Sequence, residues 1–571
     1  MFKKFEKLVL KGVQSAAQRR FILIGTLLAF ILSVLMIAPT EIVKVKMLPG
    51  KNNDTFNIYV KLPTGSSIEE THRVTECVSS YVVKEKEVLN SEVFLGMGSP
   101  LDFAGLIKGS QFKNAENVAE IVVNITKKHE REEPSYLMVQ RMRPIIQGAC
   151  EKLYPGTDIS FVEPPAGPPT LAAIVMEVYG NNAAGIRKVA NRVENVFKHT
   201  KGLVDIDTME DTIYNMFEVV VDSTKIAKSG LSVKQLNNIL YLAFEGMDIA
   251  VKNSANYNDQ IPIYLTLSPT SKHFTKKDLQ AVKAKLASLK LMNKMGMMVP
   301  ITEVVKIIPK KSDPMIMEKD LHQMTNVLAE TDMVSQVYPL LKARQTILDT
   351  FTDDYKVEKT GLFNLKLTDK KTGAVYDLNW DGEMKVTMDT FRDLGGAFIA
   401  ALILIFLLMV IYYKSYTLSG IILLGSFLSI IGVIVGHWIM DLFTPDTFFL
   451  TATSLIGFIA LIGISSRNSL LLIDFTKALM QEKGMHKAEA IAYATATRAK
   501  PIFLTAVAII LASTLLAADP VFGGLGVALI FGTVAAVIAS LMVVPVLLYM
   551  SNLEAHFHFH EKKAVSVEEP V

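Results

Sequence analysis

Six long, mostly apolar runs limit what this chain can fold into more than any other feature of its sequence. They cover residues 21–38, 394–412, 418–440, 450–472, 502–518 and 522–550. Because a helix needs about 20 apolar residues to cross a bilayer, the runs predict six membrane-spanning helices. For the first run a cleaved signal peptide is the alternative, but its apolar stretch is long and no clear small-residue cleavage site follows it.

The composition indicates a second, water-exposed region between the first two runs. The 571 residues are 50% hydrophobic and only 20% charged, which is less charge than a soluble protein of this size carries. Residues 52–389 nevertheless have the pattern of an ordinary soluble α/β protein. The formal net charge of +3 gives no nucleic-acid signature, so we expect no nucleic acid as a partner. The apolar runs predict a lipid bilayer as the surroundings of the helices.

Charged residues that flank the runs predict the orientation of the chain. Basic residues precede the first run and separate the fourth from the fifth: Lys3, Lys4, Lys7, Lys11, Arg19, Arg20, Lys477, Lys483, Lys487, Arg498 and Lys500. The short loops on the other side carry Asp441, Asp446 and Asp519. By the positive-inside rule we predict that both termini are cytoplasmic. The large domain then lies outside the membrane, in a periplasm if the cell has two membranes.

Local patterns predict the structure of the leader and of the outer domain. Residues 1–20 are basic with spaced apolar residues, which indicates an amphipathic helix on the inner membrane surface, with a solvated basic leader as the alternative. Residues 56–162 read as strand, helix, two strands, helix and strand, a ferredoxin-like βαββαβ unit. A further βαβ unit follows, so we expect several small α/β units and not one wide sheet.

Cys77 and Cys150 are the only cysteines of the chain, and both fall in helical patterns of the outer domain. The two helices are expected to pack on one sheet, so a disulfide is possible. Two buried free thiols are the simpler interpretation, and we adopt it.

Arg467 is the residue that fits its surroundings least. It lies inside the fourth run, where a charge costs at least about 2.5 kcal/mol and therefore usually faces a protein interior with a partner. Asp474 follows two helical turns later on the same face, and Asn468 is adjacent. Thr505 lies early in the fifth run, with Arg498 just outside on the same face. We predict a polar relay for protons or ions; a structural ion pair between helices is the alternative.

The apolar runs lack a mid-membrane carboxylate, which a proton pathway normally needs. Asp474 lies near the cytoplasmic end of its run, so a proton-driven protein would take the missing acid from another chain. The sequence also lacks a Gly-rich phosphate loop, a nucleophile elbow and a zinc-helix signature. We therefore expect no ATP hydrolysis, no metal site and no cofactor.

Several segments resemble the resistance–nodulation–division (RND) efflux permeases, in their hydrophobe/amphiphile branch. In the apolar half they read FRDLGGAF, FTPDTFFLTATSLIGFIALIGISSRNSLLLIDF, RAKPIFLTAVAIILA and DPVFGGLGVALIFGTVAAVIASLMVVPVLLY. In the outer domain VKLPTGSSIEET, GPPTLAAIVMEVYG and VPITEVVKI are similar to periplasmic segments of the family. The full family chain has twelve spans and two outer loops made by internal duplication, and this chain resembles only the second half.

The resemblance implies roles for the polar residues already singled out. Arg467 occupies the position of the basic residue on the tenth span, which in the family pairs with two aspartates in the half that this chain does not match. Many members carry Lys there and others Arg. Because Arg barely deprotonates, it would hold its charge while the aspartates titrate. Thr505 matches the relay threonine of the eleventh span, and Arg498 the arginine just before it.

The resemblance also implies a fold class and a division of the chain. The fold class is an α-helical membrane domain with six transmembrane helices plus an α+β periplasmic domain of ferredoxin-like βαβ porter subdomains and a docking subdomain. The boundaries are leader 1–20, first span 21–38, first porter subdomain 39–164, second porter subdomain 165–215 and 310–393, docking subdomain 216–309, five spans in 394–550 and cytoplasmic tail 551–571. Phe103, Leu106 and Phe112 fall at the family's switch loop beside its apolar drug pocket, with an ordinary exposed loop as the alternative.

The function implied by the resemblance is that of one subunit of a split efflux pump, a proton antiporter and not an enzyme. It would export hydrophobic or amphiphilic compounds together with a first-half RND permease chain that carries the aspartate pair. A trimer of such pairs would dock to a periplasmic adaptor protein and an outer-membrane channel. Two alternatives are a half-size RND-like homo-oligomer in lipid export or secretion support, and a non-transporting regulatory half.

Overall fold

Helical and α/β regions alternate along the chain as the sequence predicts. The computed structural model describes residues 2–38, 40–48, 52–100, 103–110, 113–164, 170–210, 212–272, 278–332, 334–444 and 447–553. Phe112, Asp446 and most of the predicted tail lie outside the described residues. The chain divides into two compact units, one of Met1–Met209 with Ile316–Val571 and the other of Glu210–Met315.

Two helices open the chain, α1 (Phe2–Gln14) and α2 (Ala16–Leu35). Ser15 separates them, and its hydroxyl accepts a hydrogen bond from the backbone N–H of Gln18. This N-cap satisfies a backbone group that the first turn of a helix leaves free. As a result the first apolar helix begins well before the predicted residue 21.

The apolar side of α1 is covered by protein only in part, because Leu8 stays 64% exposed, and the location of this helix on a membrane surface stays a prediction. Val9 and Val13 are buried in a core that also contains Ile491 and Leu548. Burial of the two valines explains why the basic leader is helical, since an isolated helix of 13 residues is marginal in water.

A first α/β unit follows. Its elements are β1 (Thr55–Lys61), α3 (Ile68–Val82), β2 (Val88–Met97), α4 (Phe103–Lys108), β3 (Asn114–Ile125), α5 (Ser135–Cys150) and β4 (Asp158–Val162). The strands form an antiparallel sheet in the order β2-β3-β1-β4. Alternate residues of β1, namely Phe56, Ile58 and Val60, are buried in a core shared with α3 and α5. The predicted βαββαβ order is present, with α4 added between β2 and β3.

Cys77 on α3 and Cys150 on α5 form a disulfide, so the expectation of two free thiols is wrong. Their Cα atoms lie 5.8 Å apart, inside the range that a disulfide requires. The sequence placed both residues on helices that pack on one sheet. It could not show that the two helices pack side by side in the register that brings the two sulfur atoms together.

The chain then starts a second α/β unit and leaves it for a separate middle unit, Glu210–Met315. The second α/β unit begins with β5 (Ile174–Gly180), α6 (Ala183–Lys198) and β6 (Leu203–Thr208). The middle unit contains β7 (Asn215–Val221), α7 (Ser223–Lys228), α8 (Val233–Leu240), β8 (Met247–Lys252), β9 (Ile261–Leu265), α9 (Pro269–Lys272), α10 (Leu279–Ser288), β10 (Lys290–Met292), β11 (Met298–Pro300) and β12 (Val305–Lys311). Its strands pair as β7 with β12, β8 with β9 and β10 with β11, all antiparallel.

The second α/β unit is completed after the middle unit. It adds β13 (Met317–Lys319), β14 (His322–Thr331), α11 (Val337–Thr350), β15 (Tyr355–Thr360), β16 (Asn364–Asp369) and β17 (Val375–Asp381). The sheet has seven strands in the order β13-β14-β5-β17-β16-β15, with β6 paired to β14. The expectation of several small α/β units without a wide sheet is thus partly wrong. β5 pairs with β14 and β17, which lie far away in sequence, and local sequence patterns do not predict such pairing.

The rest of the described chain is helical and apolar. Its helices are α12 (Glu383–Tyr413), α13 (Tyr416–Phe427), α14 (Ser429–Phe443), α15 (Ala452–Lys483), α16 (Lys487–Ala517), α17 (Gly523–Ile538) and α18 (Val544–Met550). Among the described residues six helical segments are long and apolar enough to cross a membrane: Ala16–Leu35, Glu383–Tyr413, Tyr416–Phe443, Ala452–Lys483, Lys487–Ala517 and Gly523–Met550. They follow the six predicted runs in order, and several extend beyond them at polar ends.

Two glycines let α14 and α17 approach closely. A Cβ atom on Gly432 would lie 2.2 Å from the carbonyl oxygen of Phe531, and one on Gly436 would lie 2.5 Å from the Cβ of the same residue. Small residues at such contacts let helix backbones pack against each other where no hydrophobic effect drives association.

Gly432→Ala is therefore expected to lower the melting temperature of the detergent-solubilised protein. The added methyl group overpacks the contact with α17, which typically costs about 1–3 kcal/mol. Gly420→Ala on α13 is the matched control, because its new Cβ meets nothing within 4 Å. If both variants melted at the same temperature, close packing at Gly432 would be ruled out.

Candidate proton-relay site

A polar stretch in the middle of α15 forms the core of the candidate site. The Ser465 hydroxyl donates a hydrogen bond to the carbonyl oxygen of Gly425 at 3.3 Å, and the Ser466 hydroxyl oxygen lies 3.1 Å from that of Ser426. Both partners belong to α13, so the two serines attach α15 to α13. Asn468 is also buried, with 8% of its surface exposed.

Arg467 lies on the opposite side of α15, on a face that the described part of the chain leaves uncovered. It is exposed, as are Ile456, Ala460 and Gly463, which share its helical stripe. Within the described ranges no carboxylate lies within 4.0 Å of its guanidinium group. Sequence reasoning expects a protein interior and an acid from another chain for Arg467, so its role in a relay stays a prediction. Helical periodicity explains why Arg467 points outward, since the serines on either side of it occupy the inner face.

Asp474 is held by a tyrosine and not by an arginine. Tyr413, the last residue of α12, donates a hydrogen bond from Oη to Asp474 Oδ1 at 2.7 Å. Arg467 is two turns away, which is about 10 Å along a helix axis. Asp474 therefore connects the end of α12 to α15, and the structure does not bring it to Arg467.

Arg498 and Thr505 lie on α16, which packs against α15. The Arg498 guanidinium lies 4.9 Å from the ring centroid of Phe475 on α15, a cation–π contact. Its Nε is buried and has no hydrogen-bond partner among the described residues. The Thr505 hydroxyl is exposed and donates to the Ile502 carbonyl oxygen at 2.9 Å, which leaves its lone pairs free to accept.

Sequence reasoning missed two polar contacts between these helices. One is the contact of Tyr413 with Asp474. The other is at His437, whose Nδ1 donates to the Val433 carbonyl oxygen and whose Nε2 lies 2.8 Å from the Ser454 hydroxyl oxygen. The partners are 61 and 17 residues apart, so no local spacing links them in the sequence.

The residues predicted for the switch loop fall in α4 and after it. Leu106 is 55% exposed, a large apolar side chain left free for contact. The side chain of Phe103 and the whole of Phe112 lie outside the described part of the chain. The role of these residues in a drug pocket stays a prediction.

The long apolar helices that accompany the α/β units are typical of a multi-pass integral membrane protein. A family model described as the AcrB/AcrD/AcrF family matches residues 1–552. The chain therefore belongs to this family of RND permeases, whose members are transporters and not enzymes.

Curated relatives come from several bacteria. The swarming motility protein SwrC of Bacillus subtilis is 26% identical over 403 residues, which cover 69% of this chain and 34% of SwrC. The multidrug resistance protein MdtC of Erwinia tasmaniensis is 24% identical, with 64% of this chain and 33% of MdtC covered. The multidrug export protein AcrF of Escherichia coli is 22% identical, with 87% of this chain and 45% of AcrF covered. The match thus spans less than half the length of each of these relatives.

A solved structure has the same fold. The crystal structure of a heavy metal efflux pump superposes with a TM-score of 0.71 at 18% identity, covering 95% of this chain and 52% of the pump chain. At this identity the likeness supports the fold alone.

Proposed function

We propose that this chain is one subunit of a split RND efflux pump that exports hydrophobic or amphiphilic compounds in exchange for protons. The observation that carries the proposal is Arg467, a guanidinium on an uncovered apolar face with no carboxylate partner among the described residues. A charge at such a place needs an anionic partner, and a proton-driven pump needs a titratable acid at the same depth. One partner with mid-membrane carboxylates meets both needs.

The partner that we propose is a first-half RND permease chain carrying an aspartate pair. The alternative, a second copy of this chain on the same face, is disfavoured by symmetry. A two-fold interface brings identical surfaces together, so Arg467 would lie close to its own copy. Like charges in a low-dielectric environment repel strongly, whereas an aspartate pair at the same place would attract.

The assembly and location that we propose are those of the split pump. Three such pairs form a trimer in the bacterial inner membrane and dock to a periplasmic adaptor protein and an outer-membrane channel. The α/β units lie in the periplasm and both termini in the cytoplasm. The Cys77–Cys150 disulfide supports this side for the α/β units, because disulfides persist in oxidising compartments such as the periplasm.

Purification of the tagged chain in mild detergent, followed by mass spectrometry of the complex, tests the proposal. We expect a second chain with six apolar helices and paired mid-membrane aspartates in a 1:1 ratio. Both chains together, and neither alone, should restore efflux of an amphiphilic dye in a pump-deficient strain. A stable homo-oligomer of this chain that moves the dye by itself would refute the split pump.

A further inference from the structure

A segment that carries α4 crosses the face of the first sheet that α3 and α5 do not cover. It connects β2 with β3, and we call its described residues, 98–100, 103–110 and 113, the α4 segment. Asn57 and Tyr59 alternate along β1 with the residues that face α3 and α5, so their side chains lie on the other face. The Tyr59 hydroxyl oxygen is 3.2 Å from the Ser110 hydroxyl oxygen. The α4 segment therefore packs on this second face.

Glu120 on β3 is a carboxylate buried beneath the start of this segment. Its side chain is 0% exposed. Oε1 accepts hydrogen bonds from Asn57 Nδ2 at 2.7 Å and from the Ser99 hydroxyl at 2.8 Å, and Oε2 accepts one from the Ser99 backbone N–H at 3.1 Å. A buried carboxylate is unfavourable unless donors surround it. Because one donor belongs to the sheet and two belong to Ser99, the carboxylate attaches the α4 segment to the sheet.

The far end of the α4 segment returns to the same place. The Gly98 backbone N–H donates to the Lys113 carbonyl oxygen at 3.0 Å, and the Lys113 N–H donates to the Ser110 carbonyl oxygen at 3.1 Å. The Lys113 Nζ atom is buried over the Tyr59 ring and lies 4.0 Å from Glu120 Oε2, the outer limit of an ion pair. Both ends of the segment thus meet at Glu120.

Gly98 lets the two ends of the segment approach closely. A Cβ atom at this position would lie 2.2 Å from the Ser110 carbonyl oxygen, which is too short for any side chain. The close approach places Ser99 and Lys113 on the same carboxylate. The sequence therefore combines a glycine and a buried acid at the base of α4.

α4 itself is held at its C-terminal end by the second α/β unit. Lys108, which is the last residue of α4, forms an ion pair with Glu330 on β14. Leu106 remains 55% exposed between this contact and the base of the segment. α4 has six residues, too few for a helix to be stable in isolation. Its position therefore depends on the contacts at its two ends.

We propose that Glu120 is a positioning residue: its carboxylate fixes the base of the α4 segment and so holds α4 and the exposed Leu106 in one place over the first sheet. Contact of Leu106 with a transported compound rests on the proposed function, whereas the anchoring by Glu120 does not. The anchor lies within the first α/β unit and involves none of the residues around Arg467.

Glu120→Gln separates the anchor from the sheet contact. The amide oxygen can still accept from Asn57, but the amide NH₂ group then faces the Ser99 N–H and Lys113, which are donors as well. Hydrogen–deuterium exchange of the full chain in lipid nanodiscs measures the result. We expect the backbone amides of α4 to exchange about tenfold faster than in the wild type, because hydrogen bonds to a charged group are lost. The amides of β1 should exchange at the wild-type rate.

Two further variants complete the exchange experiment. Glu116→Gln, at an exposed carboxylate on the same strand, should leave the exchange of α4 unchanged. Ser99→Ala removes one of the two donors on the segment and should give a smaller acceleration in the same amides. This variant also keeps the test available if Glu120→Gln does not fold. Wild-type exchange of α4 in both Glu120→Gln and Ser99→Ala, or an equal acceleration of β1 and α4, would overturn the anchor.

Export of an amphiphilic dye by the complete pump tests the consequence of the anchor for transport. In Glu120→Gln we expect the half-saturating dye concentration to rise about threefold or more at an unchanged maximal rate, because a displaced Leu106 weakens binding and leaves the later steps intact. Faster exchange of α4 with unchanged export would uphold the anchor and count against a contact of Leu106 with the dye. Changed export without faster exchange of α4 would refute the positioning role of Glu120.

Discussion

Arg467→Ala is expected to reduce proton-coupled export to the background level while leaving the chain inserted and assembled. Arg467 is exposed on α15 and makes no ion pair within the described part of this chain, so its removal disturbs no internal contact of that kind. In the proposed pump it would be the positive member of a buried charge cluster. Removal of one member of such a cluster costs about 3–5 kcal/mol, enough to change coupling more than ~100-fold.

Efflux of an amphiphilic dye from vesicles with an imposed proton gradient measures this effect. Arg467→Lys is the closest control, because it keeps the positive charge, and it should retain most of the export. Lys500→Ala removes an exposed cation from the polar end of α16 and should have little effect. Undiminished export by Arg467→Ala, at normal protein levels, would remove Arg467 from the mechanism and weaken the argument for an acidic partner.

Loss of the Cys77–Cys150 disulfide is expected to lower the free energy of unfolding of the first α/β unit by about 2–5 kcal/mol. The bond joins residues 73 apart, and the loop entropy removed from the unfolded chain corresponds to about 4 kcal/mol. It connects α3 with α5 on one face of the sheet. These helices share a buried core with β1, so the loss should destabilise the whole unit.

Denaturant titration of Cys77→Ala combined with Cys150→Ala measures the loss. The double variant avoids a single thiol that could pair with other molecules. Wild-type protein in reductant should unfold at the same midpoint as the double variant, and reductant should not change the double variant further. Ser80→Ala, at an exposed position on α3, is the control for substitution on that helix. An oxidised wild type no more stable than the double variant would contradict the prediction.

Part of the candidate site could be predicted from the sequence, because a single charge in an apolar run is conspicuous wherever it points. Arg467 and the missing mid-membrane acid were both recognisable on that basis. The direction of the arginine was not, since either face of α15 was compatible with the spacing. The contact of Asp474 with Tyr413 was also hidden, because it links two helices across 61 residues. A spacing along one helix indicates shared faces, but it does not reveal what another helix presents to that face.

The sequence by itself determined the order of the long apolar helices and the βαββαβ order of the first α/β unit, apart from α4. A segment that lies in lipid must be apolar, so long apolar runs predict membrane-spanning helices. In the α/β units, alternating or helical periodicity of apolar residues predicts strands and helices over short distances. The tertiary structure alone decided which distant residues meet: β5 within a seven-stranded sheet, the Cys77–Cys150 bond, and the ion pairs of Lys61 with Asp207 and of Arg143 with Asp205. The physical reason is that these contacts depend on packing angles and registers between elements. Many residues set such angles jointly, and no local pattern records them.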